Sequence, residues 1–141
     1  MEQRLSLLTL GVRDLGRSRA FYEAGLGWKP ANDRHAGVVF YQLGGMGLVL
    51  WGREALAEDA RVSAEGSGFP GVALAHNVRS REEVDAVLAE AVAAGGTLHK
   101  PGTEAPWGGY TGYFADPDGH LWEVAFNPGF PLDAEGRLTI Q

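Results

Sequence analysis

The stretch 107–127, WGGYTGYFADPDGHLWEVAFN, predicts two short apolar strands joined by a tight turn. The strands cover residues 110–114 and 120–126, and the turn covers residues 116–119. In a turn of sequence DPDG, Pro sets the backbone angle φ, Asp side chains accept hydrogen bonds from turn amides, and Gly adopts a left-handed conformation. The stretch therefore predicts a β-hairpin.

Glu123 is the carboxylate of the second predicted strand, where its neighbours are apolar. Because successive side chains of a strand point to opposite faces, Glu123 lies on the face opposite to Trp122, Val124 and Phe126. A carboxylate in such a strand lies either on a solvent-exposed face or at a functional site. Both interpretations stay open on the pattern alone.

The composition is that of a globular protein with one domain. The chain has 141 residues, of which 45% are hydrophobic and 21% charged. It has no Cys, which excludes disulfides, thiolate metal ligands and a Cys nucleophile. No run of about 18 apolar residues is present, and the first residues lack the apolar core of a signal peptide, so we expect no membrane partner and a cytoplasmic location. The net charge of −6 without a basic stripe predicts no nucleic-acid partner.

The first half of the chain reads as a strand, a helix and further strands. Residues 5–12 predict a strand buried on both faces, and Asp14 is positioned to cap a helix over residues 15–24. Gly residues at 25 and 27 end this helix. Residues 38–43 and 47–51 predict two strands, and a polar connector with a short helical turn at 54–60 follows.

The second half repeats this order. Residues 71–78 predict a strand, and Ser80 with Glu83 forms a capping box at the start of an amphipathic helix that ends near Ala94. The inner side of this helix is expected to carry apolar residues up to Val92. A short strand at 97–100 and the hairpin complete the half.

The two halves form an internal repeat, in which residues 12–15 align with 78–81 and residues 48–50 align with 121–123. Each half is expected to be a βαβββ module. Because one such module cannot cover both faces of its sheet, the two modules are expected to pack side by side. We predict an α+β fold in which the two modules form a curved mixed sheet with a cleft. Module one covers residues 4–55, a connector 56–70, module two 71–128 and a tail 129–141 of a single domain.

The sequence resembles the vicinal oxygen chelate superfamily, which includes glyoxalase I, extradiol dioxygenases, and fosfomycin and bleomycin resistance proteins. The resemblance is carried by residues 12–28 (VRDLGRSRAFYEAGLGW) and 113–128 (YFADPDGHLWEVAFNP), and it covers roughly residues 4–128. It implies a glyoxalase-like fold, and the assembly common in this superfamily implies a homodimer. It does not imply one reaction, because the fold carries many functions.

Members of this superfamily usually hold a divalent metal with four ligands, one from the first and one from the last strand of each module. The matching positions in this sequence are Leu7, Leu50, Ala73 and Glu123. Only Glu123 carries a donor atom, and one carboxylate does not hold a metal tightly. A shift of one residue in register does not restore the site. We therefore predict that the metal site is lost and that the protein uses no metal and no other cofactor.

Several further residues are predicted to line a ligand-binding cleft. Aromatic residues are dense near the expected cleft, and the Gly pair at 108–109 allows a close backbone approach beside Trp107. Asn77 shares its strand face with Ala73. The predicted ligand-binding residues are Trp107, Tyr110, Tyr41, Trp51, Asn77 and Tyr113. His76 is expected to pack between sheet and helix, and His120 to be exposed to solvent.

Two functions follow from these residues. The first is a metal-independent enzyme acting on an unidentified small molecule, with Glu123 as general acid or base and Tyr41 or Tyr110 polarising a substrate oxygen. The second is a non-catalytic small-molecule binding protein of the bleomycin-resistance type. The partner is a small molecule in both, and turnover distinguishes them.

Overall fold

A computed structural model describes residues 3, 6–70 and 72–138 of the chain. These residues fall into two compact units, divided between residues 70 and 71, and each unit has a β-sheet of its own. The prediction of an α+β fold built from two strand–helix–strand modules is confirmed. Among the described residues, no helix is both long and apolar enough to cross a membrane.

The first unit contains a three-stranded sheet in the order β1-β3-β2. Its strands are β1 (Leu7–Val12), β2 (Val38–Leu43) and β3 (Met46–Gly52). β1 pairs in parallel with β3, and β2 pairs with β3 in the antiparallel direction. The expected βαβββ order requires three strands after the helix, but in the described part of this unit only two are present, together with one isolated bridge between Asn32 and Phe40.

The helix predicted over residues 15–24 changes type halfway. Its first part is α1 (Leu15–Arg19), and it continues as a π-helical turn, Ala20–Gly25. Asp14 caps α1 as predicted, because its Oδ1 accepts a hydrogen bond of 2.9 Å from the Arg17 amide. Helix α2 (Arg53–Ala60) lies where a short helical turn was expected, at residues 54–60.

The core of the first unit lies between its helical segment and one face of its sheet. Phe21 and Tyr22 are fully buried on the helix. The buried sheet residues that alternate toward the helix are Leu10, Val12, Val39, Tyr41, Leu48 and Leu50. The prediction that the first strand is buried on both faces is wrong, because Leu7 is 50% exposed.

The second unit has the complete βαβββ order, with the sheet order β4-β7-β6-β5. Its elements are β4 (Leu74–Val78), α3 (Arg81–Ala93), β5 (Thr97–Glu104), β6 (Tyr110–Ala115) and β7 (Leu121–Phe126). β4 pairs in parallel with β7, whereas β5, β6 and β7 pair in the antiparallel direction. β5 is longer than the predicted strand at 97–100, and its register shifts on both sides of Lys100.

Helix α3 packs on one face of this four-stranded sheet. Ser80 Oγ accepts a hydrogen bond of 3.2 Å from the Glu83 amide, so the predicted cap is present, while Glu83 Oε2 accepts from the Arg79 amide at 2.7 Å. The side of α3 that faces the sheet carries Val84, Leu88 and Ala91, which are buried. Val92 was expected on this inner side, but it is 45% exposed because it lies where the helix surface turns away from the sheet.

The predicted hairpin turn is confirmed. Asp116 is buried, and its Oδ1 accepts hydrogen bonds of 2.9 Å from the amides of Asp118 and His120. Gly119 has a φ of +89°, which a residue with a Cβ adopts only with strain. This turn fixes the pairing of β6 with β7.

Candidate functional site

Glu123 lies on the face of the second sheet that α3 does not cover, called here the helix-free face. It pairs with Tyr113 in β6 and with Ala75 in β4. The alternate residues Trp122 and Val124 point to the other face and are buried. The sequence alternation therefore placed Glu123 correctly within its sheet.

Two residues of β6, Thr111 and Tyr113, lie beside the Glu123 carboxylate. Thr111, which is only 4% exposed, donates a hydrogen bond of 2.8 Å from Oγ1 to Glu123 Oε1. Tyr113 pairs directly with Glu123 across the two strands. Burial and the neighbouring negative charge of Glu123 raise the pKa of Tyr113, so the phenol stays neutral and remains a hydrogen-bond donor near pH 7. The site thus holds a carboxylate that accepts a hydrogen bond from Thr111 and lies beside the neutral phenol of Tyr113.

Asn77 and Lys100 lie on the same helix-free face. Asn77 pairs with Ala125, which shares the face of Glu123. Lys100 pairs with Tyr113, and its Nζ lies 5.8 Å from the centre of the Tyr113 ring. Thr111 was not among the predicted site residues, although alternation along β6 places it on the same face as Tyr113. Lys100 was not among them either, because the register shifts of β5 interrupt the alternation on both sides of this residue.

Tyr110 does not lie beside Glu123. Its hydroxyl is 3.1 Å from Asp85 Oδ1 and 3.3 Å from Oδ2, on helix α3. The reason is alternation, because Tyr110 is an odd number of residues from Thr111 and therefore points to the helix side of β6. The expectation that Tyr110 polarises a substrate oxygen beside Glu123 does not fit this position.

Tyr41 is part of the core of the first unit. Its ring packs at 5.6 Å from that of Trp28, and its hydroxyl donates a hydrogen bond of 3.0 Å to Glu23 Oε1. Arg19 Nε binds the same Glu23 oxygen at 2.6 Å. Burial, followed by the hydrogen bond to Glu23, raises the pKa of Tyr41 well above its usual range. This hydroxyl is engaged inside its own unit, which does not fit the expected contact with a ligand.

The two tryptophans predicted to bind a ligand occupy different settings. Trp51 lies on the side of the first sheet opposite to the helix, where it pairs with Val38, and it is half-buried. Trp107 lies in the loop between β5 and β6 and is 51% exposed. Its ring covers Gly109, where a Cβ would collide with the ring. The Gly pair therefore allows the close approach that the sequence indicated.

The four positions that match the superfamily's metal ligands do not form a fitting donor set. The repeat alignment placed the module-one carboxylate at Leu50, but Leu50 is fully buried on the helix side of its sheet. In the repeat alignment, Thr9 of β1 corresponds to Ala75 of β4. Thr9 pairs with Val49, and Ala75 pairs with Glu123. Val49 is the equivalent position by strand register, and it too has no donor atom. Within residues 6–70 and 72–138, no three or more Asp, Glu or His side chains group together to hold a metal.

Two histidines of the second unit differ from their expected settings. His76 lies on the helix side of β4, as alternation predicts, but its side chain is exposed rather than packed between sheet and helix. Desolvation nevertheless lowers the pKa of His76. This residue lines a depression of about 600 Å³ beside Glu83, Val87 and Leu132. His120 was expected to be exposed, but it is half-buried because its Nδ1 lies 2.9 Å from Asp116 Oδ2.

Comparisons with known proteins identify relatives over nearly the whole chain. A family model described as Glyoxalase/Bleomycin resistance protein/Dioxygenase superfamily matches residues 4–124. A glyoxalase-related enzyme from Fulvimarina pelagi is 44% identical, with a TM-score of 0.88 and 99% of each chain covered. A glyoxalase/bleomycin resistance protein/dioxygenase family enzyme from Burkholderia phytofirmans PsJN is 25% identical, with a TM-score of 0.76 and coverage of 86% of this chain and 96% of that one. No curated protein matches the chain.

Proposed function

The chain belongs to the Glyoxalase/Bleomycin resistance protein/Dioxygenase superfamily, and we propose that it is a metal-independent enzyme of that superfamily acting on a small molecule. In this proposal Glu123 is the general acid or base. The similar protein from Fulvimarina pelagi is described as a glyoxalase-related enzyme, which favours catalysis over binding alone.

The observation that carries the proposal is the hydrogen bond that Thr111 donates to Glu123 on the helix-free face, beside the phenol of Tyr113. The hydrogen bond from Thr111 spans 2.8 Å, and Tyr113 lies directly opposite in the pairing of β6 with β7. A general base has to be held within hydrogen-bond reach of the proton that it removes. The hydrogen bond from Thr111 holds the carboxylate in one orientation, which supports this role.

The Tyr113 phenol has a second use in this arrangement. Because its pKa is raised, it is protonated at neutral pH and donates a hydrogen bond. As a substrate loses a proton, negative charge develops on a neighbouring oxygen, and a neutral donor stabilises that charge. We propose that Tyr113 supplies this hydrogen bond while Glu123 takes the proton.

The test combines a screen for turnover with the variant Glu123→Gln. The amide keeps the shape of the side chain but removes its charge and its capacity to transfer a proton. We expect the variant to keep the parent's melting temperature and to lose at least about 100-fold in kcat on any compound that the parent converts. Glu90→Gln, on the exposed side of α3, is the matched control and should react like the parent. A Glu123→Gln variant with the parent's kcat would contradict the proposal.

A non-catalytic binding protein is the second candidate, and Trp107 favours it. A half-exposed indole ring next to Gly109 offers an apolar surface for a flat ligand. A binding protein returns such a ligand unchanged, whereas an enzyme consumes it. Incubation of each compound that raises the melting temperature, followed by mass spectrometry, separates the two candidates.

We also propose that the protein is a homodimer. Val62, Phe69 and Val72 are each more than half exposed around the connector, and such apolar side chains are available for contact with a second copy. Sedimentation equilibrium at micromolar concentration should give twice the chain mass of 15.1 kDa. A mass equal to that of one chain would refute the dimer.

A further inference from the structure

Lys100, Tyr113 and Glu123 form a row across three adjacent strands. Lys100 in β5 pairs with Tyr113 in β6, and Tyr113 pairs with Glu123 in β7. Directly paired residues of antiparallel strands point to the same side of a sheet. The helix-free face therefore presents an ammonium group, a phenol and a carboxylate in that order.

The ammonium group of Lys100 has no carboxylate partner among the described residues. Arginines of the same unit are engaged in ion pairs: Arg81 Nε lies 2.8 Å from Glu104 Oε1, and Arg137 Nε lies 2.7 Å from Asp133 Oδ2. Lys100 Nζ instead lies over the Tyr113 ring, at 5.8 Å from its centre. Within the described part of the chain, this cation is therefore available to an anion on the side where Glu123 lies.

The spacing of the row limits the size of such an anion. Neighbouring strands lie about 4.8 Å apart, so the backbones of β5 and β7 are separated by about 10 Å. Tyr113 lies between them in β6, and Lys100 Nζ lies 5.8 Å from the centre of its ring. A molecule that contacts both Lys100 and Glu123 therefore has to reach across Tyr113.

We infer that the substrate is a small carboxylic acid whose carboxylate pairs with Lys100 while Glu123 removes a proton from a nearby carbon. This inference rests on the proposed function and names its substrate class. In the step, the C–H bond breaks, the proton passes to a Glu123 oxygen, and the electron pair delocalises onto the adjacent carbonyl oxygen as an enolate. Return of the proton from Glu123 to the substrate completes the exchange. Lys100 offsets both the substrate charge, which a protein of net charge −6 would otherwise repel, and the charge that develops in the transition state.

The experiment is a chemical-shift titration of the ¹⁵N-labelled full chain with pyruvate, lactate and malonate, each compared with its amide. We expect at least one acid to bind and its amide to bind at least tenfold more weakly. Lys100→Met should weaken the binding of that acid at least tenfold. Arg81→Met is the matched control, because Arg81 is also a cation over an aromatic ring, 5.4 Å from the centre of Phe126, and its loss changes the net charge equally. It should change the Kd less than twofold.

The outcomes separate this inference from the proposed function. If none of the three acids binds, or if Lys100→Met binds them like the parent, the inference is overturned. A loss of turnover in Glu123→Gln together with unchanged turnover in Lys100→Met overturns the inference alone. Acid binding that depends on Lys100, combined with a Glu123→Gln variant that reacts like the parent, supports the anion site and overturns the role of Glu123.

Discussion

Thr111 Oγ1 lies 2.8 Å from Glu123 Oε1, and this hydrogen bond links neighbouring strands on the helix-free face of the second sheet. Thr111 is buried and β-branched, so its side chain has few rotamers available. The orientation of the carboxylate is consequently set by a residue that is itself nearly immobile.

Thr111→Val tests this relationship, because it replaces the hydroxyl by a methyl group of similar size. We expect the free energy of unfolding to fall by on the order of 1 kcal/mol, since one hydrogen bond is lost. The kcat on a compound converted by the parent should fall about tenfold as Glu123 loses its fixed orientation. Thermal denaturation and steady-state kinetics measure the two effects. Thr103→Val, at the exposed partner of Thr111 in β5, should change neither.

The donor set at the superfamily's metal positions predicts the metal content of the purified protein. Leu7, Val49 and Ala73 have no side-chain lone pairs, and Glu123 alone cannot hold a divalent cation tightly. Elemental analysis after mild dialysis should therefore find far less than one divalent metal per chain. One zinc, nickel, iron or manganese ion per chain would show that other residues supply the ligands.

The raised pKa of Tyr41 predicts how stability changes in alkaline solution. In the unfolded chain a tyrosine ionises near pH 10, whereas burial and Glu23 keep Tyr41 neutral in the folded protein. Its contribution is therefore fully present below about pH 10 and is lost as the pH rises through the higher folded pKa. Urea denaturation should show a smaller loss of stability between pH 9 and 11 for Tyr41→Phe than for the parent. Equal slopes would mean that Tyr41 ionises normally.

The close packing around Gly112 predicts that alanine lowers the stability of the protein at this position much more than at Gly45. A Cβ at Gly112 would lie 2.5 Å from Leu88 Cδ1 and 2.8 Å from the Lys100 carbonyl oxygen, so α3 and β5 would have to move. Gly112→Ala should lower the free energy of unfolding by about 1–3 kcal/mol. A Cβ at Gly45 meets no atom within 4 Å, so Gly45→Ala should be nearly neutral. Similar melting temperatures for both variants would contradict this account of the α3 packing.

Much of the fold could be predicted because local signals agree with the final structure. The Asp14 cap, the Ser80 cap and the turn at 116–119 each satisfy backbone groups with nearby side chains, so sequence alone identifies them. The face of Glu123 followed from alternation within one strand. These features depend on residues a few positions apart.

The features that sequence did not predict depend on register between distant strands. The repeat alignment chose Leu50 by similarity of apolar letters, but pairing with β1 places Val49 at the equivalent position. Tyr41 and Tyr110 were grouped with the site by their aromatic character, whereas the face each one occupies is decided by its parity in β2 and β6. Lys100 lies between two register shifts, so no regular alternation indicates where its side chain points.

The irregular strand β5 also bears on the behaviour of the protein in concentrated solution. It lies at one edge of the four-stranded sheet, where an unbroken strand would offer free backbone groups to a strand of another molecule. Pro101 removes one amide donor from this edge, Lys100 adds a charge, and the two register shifts interrupt the ladder. The edge is therefore protected against aggregation by strand addition, and the departure from regularity that brings Lys100 over Tyr113 also favours solubility of the folded chain.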